Sequence, residues 1–466
     1  MMQYLYDEVA SLDRRCYDEF FLSEDILMEH AADGMADFIR RKFPKNSKVI
    51  IAVGSGNNGA DGIALARLLH REYDTSLLYV KEPKSTMAKL QEKRAEAIGV
   101  KTCTKLECDI LVDAIVGTGF SGEFNSELTH ILKSLNELDA YKIACDVPSG
   151  LKASGVCADN SFIADTTLTM GALKKSMFSD EAKEFVGEIE LLNLGLSRLI
   201  YEKGSNAVLL DMEDLKLPHR QKKNSHKGTY GHLCLFSGEK IGASVLSAQA
   251  ALRFGTGLVT LLGYENEHIL NIPYEIMYAH EIPKNTTAIA LGMGLGDEFS
   301  DEEIEKLAQS EIPLLLDADI FYKKSFLKLL EKKELLLTPH PKEFTQILKA
   351  TAVADITVEE LQKERFKYVE LFCRAYPDTV LLLKGANVLI AQKNKLYVNP
   401  HGSAKLAKGG SGDVLAGLIS SLLAQGVQPL EAAINGSLAH TKLAQNYSGA
   451  DFSLTPNDLI NGIGNL

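Results

Sequence analysis

The chain has 466 residues, 45% of them hydrophobic and 24% charged, with a formal net charge of -12. That length is too great for one ordinary core and predicts two or three domains. The acidic balance excludes a general nucleic-acid binder, though not a local basic pocket for a small anion. Seven scattered cysteines with no CxxC pair suggest neither a disulfide framework nor a zinc site, and a reducing cytoplasm is expected. The acidic N-terminus does not read as a signal peptide, and no run approaches the roughly 18 apolar residues of a membrane span.

Short apolar runs at Lys48–Val53, Ser76–Val80, Asp109–Asp113, Lys142–Asp146, Thr166–Met170 and Glu188–Leu192 predict strands in the first half. Helical patterns such as Asp61–Tyr73 and Ser85–Ala97 lie between them. This alternation predicts a doubly wound parallel α/β sheet. Three strand ends are polar. VGSGNNGADG (53–62) opens a helix, whose N-terminus can hold an anion, while Asn57, Asn58 and Asp61 could bind a cation or simply form a polar cap. VDAIVGTGFSGE (112–123) places Asp113 before a Gly-Thr-Gly loop suited to a phosphate or to a plain turn. ACDVPSGL (144–151) sets Asp146 at a strand end, where a buried carboxylate can serve as a general base.

The basic, aperiodic stretch Asp211–Tyr230 predicts a linker, with domains expected at 1–208 and 209–466. Beyond it, strands are predicted at His232–Phe236, Leu258–Leu262, Ala288–Leu291, Leu314–Asp317, Leu335–Thr338, Val380–Leu383 and Leu396–Val398. Helices are predicted at Ala243–Phe254, Val358–Cys373, Gly412–Leu423 and Leu430–Gln445. LDAD (316–319) and TPHPKEF (338–344) follow strands, so Asp317 and Asp319 either face a shared crevice or cap helices, and His340 either contacts a ligand there or has a structural role between its two prolines. LLLKGANVLIA (381–391) reads as strand, turn and strand, with Lys384 either meeting a nucleotide phosphate or solvated. In AKGGSGDVLAG (407–417) the glycines let backbone N–H groups approach a phosphate at a helix start. An acid there repels phosphate. Asp413 makes sense as a base for an attacking hydroxyl, or else as an N-terminal cap.

The second half is similar to the ribokinase-like superfamily and resembles the ADP/ATP-dependent NAD(P)H-hydrate dehydratases, through HKGTYGHLCLFSG (226–238), IGASVLSAQAALRFGTGLV (241–259), GMGLG (292–296), LDAD, TPHPKEF, LKGAN and AKGGSGDVLAG. The resemblance implies a three-layer αβα domain that binds ADP on Lys384, Gly385, Ala386, Asn387 and Val388 and on the loop 399–412, which includes Gly409, Gly410, Ser411 and Gly412. It implies Asp413 as the catalytic acid-base, and Ala243, Gly294 and His340 lining the hydrated nicotinamide nucleotide. Met293 stands where the family usually has proline, and Val388 where threonine is common.

The first half resembles the NAD(P)H-hydrate epimerases, which implies a Rossmann-like αβα domain. Substrate contacts are implied at Asn57, Asn58, Gly59, Ala60 and Asp61, at Gly117, Thr118, Gly119, Phe120, Ser121, Gly122 and Glu123, and at Asp146, the implied acid-base group. A potassium ion is implied on Asn58, Asp113 and Ser149, and Lys174 matches a lysine near the substrate. Ala60 replaces a usual glycine, which would cost about 1 kcal/mol if the position needs positive φ.

Together the halves imply repair of hydrated NADH and NADPH. The R and S forms at C6 would be interconverted, and the S form dehydrated with ADP and Mg²⁺. A homo-oligomer is expected, with no membrane or nucleic-acid partner. A vitamin- or hydroxymethylpyrimidine-type kinase and a non-catalytic nucleotide sensor are the alternatives.

Overall fold

The computed structural model describes residues 3–264 and 272–466. It divides into two compact units, Met1–Ala207 and Val208–Leu466. No described helix is long and apolar enough to cross a membrane.

In the first unit a fully parallel sheet runs, in spatial order, Lys101–Thr102, Asp74–Tyr79, Lys48–Val53, Ile110–Ala114, Tyr141–Cys145, Thr166–Met170, Glu188–Leu192. Successive side chains of a strand point to opposite faces, and the packing follows that alternation. Val49, Ile51 and Val53 join one core with Leu27, Ala31, Met35 and Ile39 of helix Glu24–Lys42 and Ile63 and Ala66 of helix Asn57–Leu69. Ile50 and Ala52 join another with Leu128, Leu132 and Leu135 of helix Ser126–Asn136. Both faces are apolar because both are covered, the usual condition of a parallel sheet.

Helix Ala10–Phe20 and helix Glu24–Lys42 precede the first strand of this sheet and are not in the predicted set. A separate short pairing joins Gln3–Tyr6 to Leu173–Lys174 and fixes the backbone that carries Lys174.

The helix after Val53 starts at Asn57, four residues before the predicted Asp61. Gly59 permits that start, because a Cβ there would lie 2.1 Å from the carbonyl oxygen of Gly54. Ala60 is inside the helix and is absent from the positive-φ residues of the described chain. It is fully buried beside Met28 and Ala88. The expected strain at this position therefore does not arise.

In the second unit the strands Met277–Ala279, Leu258–Leu262, His232–Phe236, Ala288–Leu291, Leu314–Leu316, Leu335–Leu337 and Val380–Leu383 lie side by side in parallel. Val388–Gln392 and Lys395–Asn399 extend the sheet antiparallel. Leu233, Leu235, Ala288, Ala290, Leu315 and Leu336 share a core with helices Ile241–Arg253, Ser411–Ala424 and Pro429–Asn446. The intervening Cys234, Ile289, Leu314 and Leu316 are buried as well. The architecture is thus the expected α/β one.

The predicted helix Val358–Cys373 is two, Val358–Lys363 and Arg365–Ala375, broken at Glu364. The break buries Arg365, whose guanidinium donates to the carbonyls of Lys384 and Asn387 at 3.0 and 3.3 Å. The stretch 211–230 predicted as linker lies inside the second unit, whose boundary precedes it, and carries the short turns Met212–Asp214 and Lys227–Tyr230.

Ala60→Gly tests the helical placement. Loss of helix propensity alone should destabilise by about 1 kcal/mol, read as a lower denaturant midpoint. An increase in stability would show that the position prefers glycine.

Candidate functional site

The parallel strands of the first unit end nearly level, with Val53 opposite Ala114 and Asp113 opposite Ala144. The loops that leave these ends enclose a cavity of ≈ 610 Å³. Its wall includes Asn57, Asn58, Asp61, Gly117, Thr118, Gly119, Phe120, Ser121, Asp146 and Lys174. Three widely separated motifs therefore meet, as expected for ligands at the carboxyl edge of an open α/β sheet. Gly122 and Glu123 are outside the wall, and Glu123 instead pairs with Lys152 at 2.6 Å. Gly59 and Ala60 lie behind it, inside the helix.

Asp146 has φ 68°, a left-handed conformation that is unfavourable for a residue with a side chain. Its N–H donates to the carbonyl of Leu168 at 2.9 Å. Its carboxylate accepts from Met170 N–H at 3.2 Å and from the ammonium of Lys174. The buried Lys174 also donates to Thr169 Oγ1 at 2.8 Å and to the Met170 carbonyl at 3.0 Å. A strained backbone held by a satisfied polar network fixes the direction of this carboxylate.

Asp61 is the fifth residue of its helix, whose cap is Gly56, so the capping role left open by the sequence is not the one it has. Burial, reinforced by the charges of Asp146, Asp13 and Glu24 against the opposing Lys174, raises its pKa well above the ordinary value. The cavity wall also contains Asp13, Tyr17 and Glu24, from the two helices that were not predicted. Asp13 accepts from Tyr201 Oη at 2.7 Å, and Glu24 accepts from Asn57 Nδ2 at 2.6 Å.

Asp113 and Ser149 are buried and absent from the wall. The Asp113 carboxylate accepts from Ile115 N–H at 3.1 Å, Ser149 N–H at 2.7 Å and Ser149 Oγ at 2.6 Å. Burial nevertheless pushes its pKa up to about 6. Asn58 has a buried amide nitrogen with no partner among the described residues. Asn58, Asp113 and Ser149 each carry an oxygen donor of the kind that suits a hard cation.

In the second unit, helix Ser411–Ala424 starts after Gly410, which has φ 89°; a Cβ there would meet the Pro456 side chain at 2.6 Å. Asp413 is in the first turn, but the helix has no side-chain cap, so the capping alternative is not realised. Its carboxylate makes no hydrogen bond among the described residues. Its backbone carbonyl accepts from Ser247 Oγ at 2.8 Å. Burial raises the Asp413 pKa to about 6, aided by the charges of Asp317 and Asp319 and opposed by Lys384.

Lys384 donates to Asp317 Oδ1 at 2.7 Å, and its Nζ would lie 3.4 Å from a Cβ on Gly412. A cation therefore stands at the glycine turn. Asp317 likewise caps nothing through its side chain. Asp319 accepts from Gly296 N–H at 3.2 Å.

His340 has the structural role that the sequence allowed. It caps helix Pro341–Ala350 in a reciprocal box with Glu343, and its Nε2 is 3.0 Å from Glu343 Oε1. Ala243 is half-buried on helix Ile241–Arg253, and Gly294 has φ 66°. Met293 and Val388, the two departures noted in the sequence, are both buried core residues. Asn387 is buried. Ser411 Oγ is 3.1 Å from Nε2 of the buried His440, whose pKa burial and Lys384 depress to about 4. Arg365 and His440 were not singled out in the sequence, and nothing local marks them.

A family model described as NAD(P)H-hydrate dehydratase matches residues 233–464, and one described as YjeF-related protein N-terminus matches residues 24–176. A Helicobacter pylori protein named bifunctional NAD(P)H-hydrate repair enzyme Nnr is 43% identical over 471 residues, covering 99% of both chains. A Coxiella burnetii protein of the same name is 30% identical, covering 97% of this chain and 96% of that one. A solved Bacillus subtilis ADP/ATP-dependent NAD(P)H-hydrate dehydratase, co-crystallized with ATP/Mg²⁺, is 28% identical over 53% of this chain and 92% of its own, with a TM-score of 0.45.

The two unpaired or cation-paired acids near the glycine turn should be separable by titration. Asp413 is expected to titrate at about 6 by carboxyl ¹³C NMR, and Asp317→Asn, by deleting a neighbouring negative charge, should move it down. A wild-type value near ~4, the ordinary aspartate range, would refute the burial argument.

Proposed function

The chain belongs to the bifunctional NAD(P)H-hydrate repair enzyme family, and from that premise we propose that its first unit epimerises hydrated NADH and NADPH while its second dehydrates the S form with ADP. The observation that supports this reading best is that both units keep a directed carboxylate where the chemistry needs one. Asp146 faces the first cavity, and Asp413 stands free beside a glycine turn and a lysine. A vitamin-type kinase would need only the second of these, and a non-catalytic sensor neither.

In the second unit Asp413 takes the proton of the C6 hydroxyl as that oxygen attacks the terminal phosphorus of ADP. The N–H groups of the turn Gly409–Gly412, the helix dipole and Lys384 stabilise the charge on the moving phosphoryl group. Phosphate then leaves C6 as the ring nitrogen's lone pair forms a nitrogen–C6 double bond, and loss of a proton from C5 restores the C5–C6 double bond, giving NAD(P)H, AMP and phosphate. Lys384, Gly385, Ala386, Asn387 and Val388 would hold the nucleotide, in a turn that Arg365 braces at both ends. Ala243, Gly294 and His340 would line the hydrated nicotinamide, with the exposed edge of His340 available while its nitrogens hold the cap.

Mg²⁺ would travel with the nucleotide phosphates, whose oxygens suit it as ligands. In the first unit Asn58, Asp113 and Ser149 would hold K⁺, which would supply a fixed positive charge. Asp146 would serve as the acid-base group of the epimerisation. Tested as the intact chain, the protein is proposed to act in the cytoplasm and as a homo-oligomer.

Incubation with mixed R and S hydrated NADH plus ADP, followed by NADH absorbance, checks both activities. Wild type should recover nearly all the NADH and Asp413→Asn none. Asp146→Asn should stop once the S form is consumed, apart from slow spontaneous epimerisation. Because a deprotonated Asp413 is required, dehydration should fall as pH drops through about 6. Full recovery by Asp413→Asn would sink this mechanism.

A further inference from the structure

We propose that Asp61 is a second acid-base catalytic residue of the first unit, protonating the C6 oxygen of the hydrated nicotinamide while Asp146 acts as the base. The proposal rests on the epimerase reading of that cavity and adds a residue to it.

Four acids line the cavity. Three have partners: Asp13 accepts from Tyr201, Glu24 from Asn57, and Asp146 from Lys174. Asp61 alone among them has no hydrogen bond or ion pair among the described residues. Its side chain nevertheless lines the cavity, and it is only 9% exposed. Burying an unpartnered carboxyl group is costly, and a helix interior gives no reason for one. The cap of this helix is Gly56, and the neighbouring Ala60 shows that the position before it is filled by packing alone. What remains is a group waiting for a ligand atom.

The surroundings fix its form. Asp146, Asp13 and Glu24 face it with negative charge, Lys174 opposes them, and Tyr17 and Cys145 are neutral neighbours whose own pKa values are raised. Burial and these charges favour the protonated form of Asp61, the form in which it can act as a donor, with Asp146 as the acceptor.

The step balances as follows. The Asp61 carboxyl gives its proton to the C6 hydroxyl, the C6–O bond breaks, and water leaves. The ring nitrogen's lone pair forms a nitrogen–C6 double bond, so C6 becomes planar and the ring cationic, beside a wall of carboxylates that complements that charge. A water on the opposite face adds its oxygen pair to C6 and gives its proton to Asp146. One water has left and one has entered, and the configuration is inverted. Asp61 is now the carboxylate and Asp146 the acid, which is the starting state for the reverse direction.

The test uses the full-length protein, S-form hydrated NADH free of ADP, and H₂¹⁸O, with R and S forms separated by chromatography and weighed by mass spectrometry after subtracting the enzyme-free rate. Wild type should place one ¹⁸O at C6 per epimerisation. Asp61→Asn should epimerise at least ~10²-fold more slowly, while its ADP-dependent dehydration of the S form and its melting curve stay at wild-type values. Asp61→Glu, which restores a carboxylic acid, should recover part of the rate. Wild-type epimerisation without ¹⁸O uptake, or an undiminished rate in Asp61→Asn, overturns this inference and leaves the epimerase reading intact. A wild-type protein that does not epimerise at all overturns the reading of the unit itself.

Discussion

A carboxylate taken out of water must be paired, multiply hydrogen-bonded or protonated, and that constraint organises both units. At the carboxyl edges of the two sheets the chain buries Asp61, Asp113 and Asp317 and half-buries Asp146 and Asp413, and they meet the constraint in different ways. Asp146 and Asp317 have lysines. Asp113 takes three hydrogen bonds from the Ile115 and Ser149 backbone and the Ser149 hydroxyl. Asp61 and Asp413 have none among the described residues, and their pKa values rise. In the proposed reactions the partnered acids serve as scaffolding or fixed acceptors, and the unpartnered ones exchange protons with a ligand.

Backbone geometry delivers these groups. Gly59 lets a helix begin directly against the Gly54 carbonyl, which brings Asp61 to the cavity one turn later. Asp146 reaches the same cavity by adopting a left-handed backbone conformation, and the Lys174 ammonium that holds it comes from a strand paired to Gln3–Tyr6. Local strain at one residue is thus stabilised by contacts from the start of the chain. In the second unit the break at Glu364 does similar work by turning Arg365 inward under the Lys384–Asn387 turn.

Much of this was legible in the sequence. Apolar runs bounded by Gly, Asp and Pro marked the parallel strands, because a strand buried on both faces needs a continuous apolar run. The polar strand ends marked the motifs. Helix Glu24–Lys42 was signalled too, by Ser23 as cap, Glu24 and Asp25 in its first turn and Arg40, Arg41 and Lys42 in its last. Those signals lie outside the β-α alternation that guided the reading, so Asp13, Tyr17 and Glu24 were missed. The pairings Lys174–Asp146 and Lys384–Asp317 link residues 28 and 67 positions apart. No local pattern encodes such partners, so whether an acid is capped, paired or free was decided only by the tertiary structure.

The two sites also differ in what they can do to one C6–O bond. At the glycine turn, N–H groups and Lys384 attract phosphate, and the single free acid beside them can only take a proton from the attacking hydroxyl. Turning that hydroxyl into a phosphate ester makes a good leaving group, and consumption of the nucleotide drives the step forward. The first cavity opposes four carboxyl groups with one lysine, an arrangement that favours a cationic ring. Without a phosphoryl donor it has no means of driving the bond in one direction. It can break and remake the bond only by moving protons, which makes its reaction an equilibration of two faces. Charge at the two edges, rather than fold, separates a driven dehydration from a reversible inversion.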